Sequence, residues 1–246
     1  MASAQPTNQP SGSPRRRGRI YLILSAVAIV AVLGVGFAAQ TGTAEQGSTA
    51  GGAGEQGSDE PTIDMSRRID GDPTALGETD APVVLVEYSD YRCPFCAVFA
   101  RDTLPVLVDE YVESGQMRIE WRDLTVFGQE SIDAAVAGRA AGAQGLFWEF
   151  NEATFRDAPE RAHLELPRER LLEIGREIGV PDMARFESDL NNPALLASVT
   201  GDTDEARSFG ATGTPLFLVN DTPISGAQPL EVFRQAIDRE LAEATR

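Results

Sequence analysis

Two cysteines, Cys93 and Cys96, are the only thiols in the 246-residue chain, and they stand in the motif CPFC. A Cys-x-x-Cys pair can form a structural disulfide, supply half of a zinc site, attach a haem or act as a redox couple. A structural zinc site needs four Cys or His ligands, and the single histidine is His163. A c-type haem requires His directly after the second cysteine, where this chain has Ala97. Zinc and haem are therefore poor explanations of the pair.

A purely structural disulfide also explains the pair poorly. A bridge between residues i and i+3 closes a very small loop, so it removes little conformational entropy from the unfolded chain. Disulfide staples are typical of small domains with poor cores, whereas this chain is long enough to bury a substantial core. We therefore predict a redox couple, with no metal ion and no cofactor.

The positions of the two cysteines predict different roles for them. The apolar run Pro82–Tyr88 predicts a buried strand, and helical spacing begins at Pro94, so Cys93 is expected at the N-terminal cap of a helix. Unpaired backbone N–H groups and the helix dipole favour a thiolate there. Cys96 lies one turn inside the helix, where shielding keeps its pKa higher. Cys93 is then the nucleophile and Cys96 the thiol that resolves a mixed disulfide.

The remaining pattern predicts an α/β fold with a helical insertion. A kink is expected at Pro105 of the first helix, and the helical block is expected to break at Gly145, Pro159, Pro167, Pro181 and Pro193. The predicted elements are the strand Pro82–Tyr88, the helix Pro94–Ser114, the strand Gln116–Trp121, the helical block 131–196, a hairpin of Pro215–Asp221 and Thr222–Gly226 turning at Asn220-Asp221, and a helix from Pro229.

The N-terminal region predicts a membrane anchor. Residues 1–19 carry four arginines and no acidic residue, and they precede the uncharged run Ile20–Ala39. A helix of this length spans about 30 Å, enough to cross a bilayer. The arginines place residues 1–19 in the cytoplasm and everything after the span outside, as a single-pass protein of the cell membrane. The alternative is a cleaved secretory signal, for which Gly36–Ala38 offers small residues at the cleavage position.

The rest of the chain divides into a linker and a folded body. Residues 40–60 contain no large apolar side chain, so they are expected to form a flexible tether. The body, residues 61–246, carries 17 arginines against 34 acidic residues, within a net charge of −17 for the whole chain. Such an acidic body is not expected to bind nucleic acid.

Three segments carry a resemblance to a known family: VVLVEYSDYRCPFCAVFA around the cysteines, GLFWEFNEATF (Gly145–Phe155) and GATGTPLFLVND (Gly210–Asp221). Over about residues 70–243 the sequence resembles the DsbA-like branch of the thioredoxin-fold thiol–disulfide oxidoreductases. The resemblance implies a thioredoxin-like fold with a helical insertion at about 129–200. It also implies exchange with cysteine-containing protein substrates outside the cytoplasm, and a quinone-linked membrane partner that reoxidises the cysteine pair.

The resemblance assigns three further site residues. Pro215 is expected to be a cis proline packed beside the cysteine pair, and Thr214 to present its backbone to an extended substrate segment. Glu87, six residues before Cys93, matches a buried acid that exchanges the proton of Cys96, and a carboxylate is unusual in so apolar a strand. The alternative is that Glu87 is solvated near the strand end.

The direction of exchange is open at this point. Pro94 and Phe95 between the cysteines are expected to tune the redox potential, and apolar Phe95 stands where strongly oxidising relatives have a basic residue. Oxidation of protein thiols is the first hypothesis. A reductase or isomerase of extracytoplasmic disulfides is the second, and a non-redox adaptor or chaperone that binds extended chains is the third.

Overall fold

The computed structural model describes residues 64–246. The basic tail 1–19, the membrane anchor 20–39 and the tether 40–60 were predictions about the preceding residues, and they lie outside the described part. Among residues 64–246, none of the helices combines the length and apolar character that a bilayer crossing requires.

Five strands form one mixed sheet in the order β1-β3-β2-β4-β5. β2 pairs with β3 in parallel, and the other pairs are antiparallel. The strands are β1 (Ala75–Leu76), β2 (Val83–Ser89), β3 (Met117–Asp123), β4 (Leu216–Val219) and β5 (Thr222–Ser225). The hairpin turns at Asn220, which has a positive φ of 51°, as the sequence predicted.

Eight α-helical segments surround the sheet in the described residues. They are α1 (Pro94–Val98), α2 (Leu104–Leu107), α3 (Gln129–Gly142), α4 (Phe147–Arg156), α5 (Arg168–Glu177), α6 (Met183–Asp189), α7 (Pro193–Ser208) and α8 (Leu230–Ala244). The breaks predicted from glycine and proline separate α3 to α7 where expected, although α7 continues beyond the predicted end of the helical block.

The helical stretch after the cysteines is irregular. Segments of π-helix, Phe99–Thr103 and Val108–Val112, alternate with α1 and α2. Pro105 lies in the first turn of α2, directly after the first π-helical segment. Its ring would clash with the carbonyl four residues earlier in a regular α-helix, and the wider π turn relieves that clash. The predicted kink is therefore a change of helix type.

β2 is the centre of the fold, and all seven of its residues are buried. One of its faces packs Val83 and Leu85 against Phe99 and against Phe233 of α8. The other face packs Val84, Val86 and Tyr88 against side chains that include Ala206 of α7. A strand covered on both faces explains the nearly continuous apolar run in the sequence.

A separate hydrophobic cluster joins the helical insertion to the C-terminal end of β2. It contains both cysteines together with Phe147 and Phe150 of α4. Trp148 is half-buried between this cluster and the one that contains Phe233. The cysteine pair thus lies at the junction of the sheet and the insertion.

Candidate active site

The loop between β2 and α1 is fixed by Asp90. Its Oδ1 accepts a hydrogen bond of 2.8 Å from the backbone N–H of Arg92, and its Oδ2 accepts one of 2.8 Å from that of Val126. Its carbonyl accepts a bond of 3.0 Å from the Cys93 N–H. An aspartate that bonds the backbone two residues later makes an Asx-turn, and this turn sets the chain at the start of α1.

Arg92 holds the same loop against its neighbours. Its Nε donates to the carbonyl of Leu164 at 2.8 Å, and its Nη1 donates to that of Phe127 at 2.6 Å. His163 is exposed, and its Nδ1 lies 3.3 Å from the Arg92 carbonyl. Asp90 and Arg92 were not predicted as site residues, although Asp two residues before Arg in SDYRC is a turn signal.

Cys93 is the N-cap residue of α1, and Pro94 stands at the first turn, as predicted. The two thiols are free, and the Cys93 Sγ lies 3.4 Å from the Thr214 carbonyl, to which the thiol donates. Hydrogen bonding to Cys96 is the largest of the effects that lower the pKa of Cys93 to about 6. Burial opposes this shift, and the Thr214 side chain and the backbone N–H groups of Cys96 and Phe95 support it.

Cys96 has the opposite electrostatics. Burial, followed by the neighbouring Cys93, raises the pKa of its thiol well above the usual value. The Ser89 side chain and the backbone N–H of Asp90 act in the other direction but do not outweigh burial. The two thiols therefore differ as the sequence suggested, since only Cys93 carries a stabilised thiolate near neutral pH.

One correction concerns access to Cys93. We expected an outer and a shielded sulfur, yet Cys93 is only 2% exposed and Cys96 is 0% exposed. The Thr214–Pro215 loop accounts for this, because its carbonyl lies against the Cys93 sulfur. The difference between the thiols is thus one of hydrogen bonding and depth rather than of open exposure.

The Thr214–Pro215 peptide bond is cis, and it lies beside the cysteine pair. The Thr214 hydroxyl is buried and makes no hydrogen bond to any of residues 64–246. A cavity of about 710 Å³ borders this loop on the side of the sheet away from α8, and its lining includes Met65, Phe209, Leu218 and Pro223. Phe95, by contrast, is 60% exposed at the surface beside the cysteines.

Glu87 lies on β2 behind the cysteines and is 1% exposed, so the solvated alternative is wrong. Neither carboxylate oxygen has a hydrogen-bond partner among the described residues. Burial raises the pKa of Glu87 to about 8, and the Ser89 side chain lowers it only slightly. Residues 64–246 contain no group of three or more His, Cys, Asp or Glu side chains that could hold a metal ion.

Residues 70–239 match the sequence profile of the thioredoxin family. This match covers more than half of the chain and includes both cysteines and the Thr214–Pro215 bond. The chain belongs to the thioredoxin family. Within that family it is one of the DsbA-like thiol–disulfide oxidoreductases, as its relatives indicate.

Two curated members of the family are similar to this chain over most of the body. The "Probable disulfide bond formation protein D" of Bacillus cereus is 30% identical over 171 residues, which cover 68% of this chain and 78% of that protein. The "Disulfide bond formation protein D" of Bacillus subtilis is 26% identical over 189 residues, which cover 76% of this chain and 84% of that protein.

A solved structure of the same kind confirms the fold. The crystal structure of oxidised BdbD from Bacillus subtilis superposes with a TM-score of 0.64 at 26% identity, covering 70% of this chain and 94% of that one. The thioredoxin-like fold with a helical insertion, predicted from the sequence, is therefore confirmed for the described residues.

Proposed function

We propose that this member of the thioredoxin family oxidises cysteine pairs in proteins outside the cytoplasm, with Cys93 and Cys96 as its redox couple. The observation that carries this proposal is the difference between the two thiols: the pKa of Cys93 is lowered to about 6 and that of Cys96 is raised. A stabilised Cys93 thiolate favours the reduced form of the enzyme, and an enzyme whose reduced form is stabilised is an oxidant.

The reaction begins with the Cys93–Cys96 disulfide. A substrate thiolate attacks the Cys93 sulfur, a new S–S bond forms between substrate and Cys93, and Cys96 leaves as a thiolate that takes up a proton. A second substrate thiolate then attacks the substrate sulfur of this mixed disulfide. The substrate leaves with its disulfide, and Cys93 leaves as a thiolate that its surroundings stabilise.

Glu87 is proposed to supply the proton that Cys96 takes up. With a pKa of about 8, its carboxyl group is mostly protonated at neutral pH and can serve as an acid, which an ordinary glutamate cannot. In the reverse direction the same group accepts the proton of Cys96 before that thiol attacks a mixed disulfide.

Thr214 and Pro215 are proposed to bind the substrate backbone. Proline has no backbone N–H to donate, so the neighbouring N–H and C=O of Thr214 are the groups that this loop offers to an extended chain. Because backbone groups are the same in every protein, this mode accepts many substrate sequences. The exposed Phe95 ring adds an apolar contact next to the reacting sulfur.

The sequence and the family resemblance support the proposed location and partner. The uncharged run Ile20–Ala39 after four arginines supports a membrane-anchored protein with its catalytic domain outside. Each substrate disulfide leaves two electrons on the cysteine pair, so the enzyme needs an acceptor for each turnover. A quinone-linked membrane protein is the acceptor that fits an anchored enzyme, and Pro94 and Phe95 are proposed to set the potential at which it works.

The reduction potential of the Cys93–Cys96 couple tests the direction. Equilibration with glutathione buffers is expected to give a value between about −270 mV, typical of thioredoxin, and about −120 mV, typical of DsbA. A value at or below that of thioredoxin would favour the reductase. Cys93→Ala is expected to abolish disulfide formation in a reduced, unfolded substrate, and undiminished activity of this variant in cells would favour the non-redox adaptor.

A further inference from the structure

Three buried polar side chains, those of Glu87, Ser89 and Cys96, lie one after another behind the active site. Glu87 and Ser89 are two residues apart on β2, so their side chains project from the same face, and each is 1% exposed. Both oxygens of the Glu87 carboxyl group and the Ser89 hydroxyl make no hydrogen bond to residues 64–246. An unpaired hydroxyl and an unpaired carboxyl group side by side in a core are costly for stability and need a functional explanation.

Cys96 completes this series at the C-terminal end of β2. Its sulfur lies against the end of the strand, where the Asp90 backbone N–H and the Ser89 side chain both lower its pKa. Ser89 also lowers the pKa of Glu87. Ser89 therefore acts on both acids, and along β2 it follows Glu87 by one strand repeat, about 6–7 Å, toward the end of the strand.

We propose that the Ser89 hydroxyl relays the proton between Glu87 and Cys96 during thiol–disulfide exchange. When Cys96 leaves as a thiolate, the Ser89 Oγ–H is transferred to the Cys96 sulfur, and the Glu87 carboxyl group returns a proton to Ser89 Oγ. The net change is one proton moved from Glu87 to Cys96, and no electrons are transferred. In the reverse step the Cys96 proton moves to Ser89 and the Ser89 proton to Glu87. The relay rests on the proposed function, because it serves the same Cys96 step.

The local packing favours this route over direct transfer. Hydrophobic side chains enclose Cys96, which has no exposed surface, so bulk water has no direct access to its sulfur. A serine hydroxyl can donate one hydrogen bond while it accepts another, which is the requirement for a relay. No cation among residues 64–246 pairs with Glu87 to hold it as an anion, so burial keeps the carboxyl group protonated and able to donate its proton.

The experiment measures the Cys96 step alone in the full-length protein. Cys93 is loaded with a chromophoric aromatic thiol as a mixed disulfide, and release of that thiol reports the attack by Cys96. Ser89→Ala is expected to slow the release about tenfold at neutral pH, a part of the roughly 10²–10⁴-fold contribution of a positioned acid or base. Ser89→Thr, which keeps the hydroxyl, is expected to stay within about threefold of the wild type.

Two controls separate the relay from a structural role. Ser131→Ala removes another buried hydroxyl that has no hydrogen-bond partner among residues 64–246, on α3 and outside the proposed relay, and is expected to leave the rate unchanged. In a Glu87→Gln background, Ser89→Ala is expected to slow the release by less than about a further twofold, because the effects of two substitutions in one relay are not additive. Ser89→Gly repeats the test with a second side chain that lacks the hydroxyl.

Two results would overturn the relay. The first is that Ser89→Ala and Ser89→Gly release the aromatic thiol as fast as Ser131→Ala does. The second is that Ser89→Ala slows this release by the full tenfold in the Glu87→Gln background. Both results leave the enzyme active, so they differ from a failure of the proposed function, in which the wild type itself would release no thiol.

Discussion

Two buried glutamates on neighbouring strands have opposite environments. Glu120 of β3 pairs in register with Val86 of β2, directly before Glu87, and the two glutamates are 0% and 1% exposed. Glu120 accepts hydrogen bonds of 2.9 and 2.7 Å from the backbone N–H groups of Arg67 and Arg68. It also accepts side-chain bonds from Arg118 at 2.9 Å and Arg122 at 2.6 Å. Glu87 makes no hydrogen bond within the described residues.

The comparison shows that partners, more than burial, decide how a carboxyl group behaves. Burial alone would raise the pKa of Glu120, but the hydrogen bonds from Arg67, Arg118 and Arg68 and the charge of Arg122 hold that pKa below its usual value. Glu87 has no such partners, so burial raises its pKa to about 8. Glu120 is therefore a permanent anion that stabilises the fold, whereas Glu87 is able to exchange a proton.

The largest expected effect is a loss of stability when Glu120, the glutamate with hydrogen-bond partners, is removed. Glu120→Ala leaves the buried Arg118 and Arg122 guanidinium groups without their shared anion, and is expected to lower the free energy of unfolding by roughly 3–5 kcal/mol. Denaturant unfolding measures this loss. The fraction that remains folded is expected to retain normal exchange kinetics, and a stability equal to the wild type would show that the Glu120 pairs contribute nothing net.

A smaller effect on stability, which depends on pH, is expected from Glu87. The folded state holds the Glu87 proton up to a pKa of about 8, while the unfolded chain loses it near 4.5, so stability falls as pH rises between these values. The wild type is expected to lose roughly 2–3 kcal/mol relative to Glu87→Gln between pH 5 and 7. Denaturant unfolding of the disulfide form, in which neither thiol titrates, measures this difference in stability. Parallel pH profiles of the two proteins would contradict the raised pKa.

The sequence predicted the elements that position the site. The strand before the cysteines, the turn at Asn220-Asp221 and the helix after Pro229 all rest on local signals, namely apolar runs, turn residues and a proline at a helix start. β1 was missed because two residues, Ala75 and Leu76, carry no periodicity.

The buried charges could not be predicted in the same way. The alternation MRIEWRD on β3 is typical of a strand with one solvated face, yet Arg118, Glu120 and Arg122 are all buried. They are covered by the segment at Arg67 and by α7, and these contacts join residues far apart in sequence. Ser89 was missed for a related reason, since a serine at a strand end has no distinctive pattern until its neighbours are known.

A third substitution tests whether hydrogen bonding also controls the pKa of Cys93. The Thr214 hydroxyl has no partner among residues 64–246 while Cys93 is a thiol, so it is free to donate to the thiolate, and its side chain lowers the pKa of Cys93. Thr214→Val removes this hydroxyl and is expected to raise the pKa of Cys93 by about one unit, since a hydrogen bond to a charged group is worth roughly 1.5–3 kcal/mol. Thiolate absorbance against pH measures this shift. An unchanged titration would mean that the Thr214 hydroxyl has no part in stabilising the thiolate.

The smallest effect is expected at Phe95. Its backbone N–H supports the Cys93 thiolate, but its ring is 60% exposed. Phe95→Ala keeps the N–H, so the pKa of Cys93 is expected to stay within about 0.4 units and the stability within about 0.5 kcal/mol. A larger pKa shift in the same titration would assign the tuning to the side chain instead of the backbone.

Separate titration of the two thiols tests the central claim most directly. Carbon-13 labelling of the cysteine β-carbons in the reduced protein allows NMR to follow Cys93 and Cys96 individually. The account predicts a pKa of about 6 for Cys93 and a value well above 9 for Cys96. Two thiols that both ionise near 9 would contradict it, because neither would then be prepared for a distinct part in the exchange.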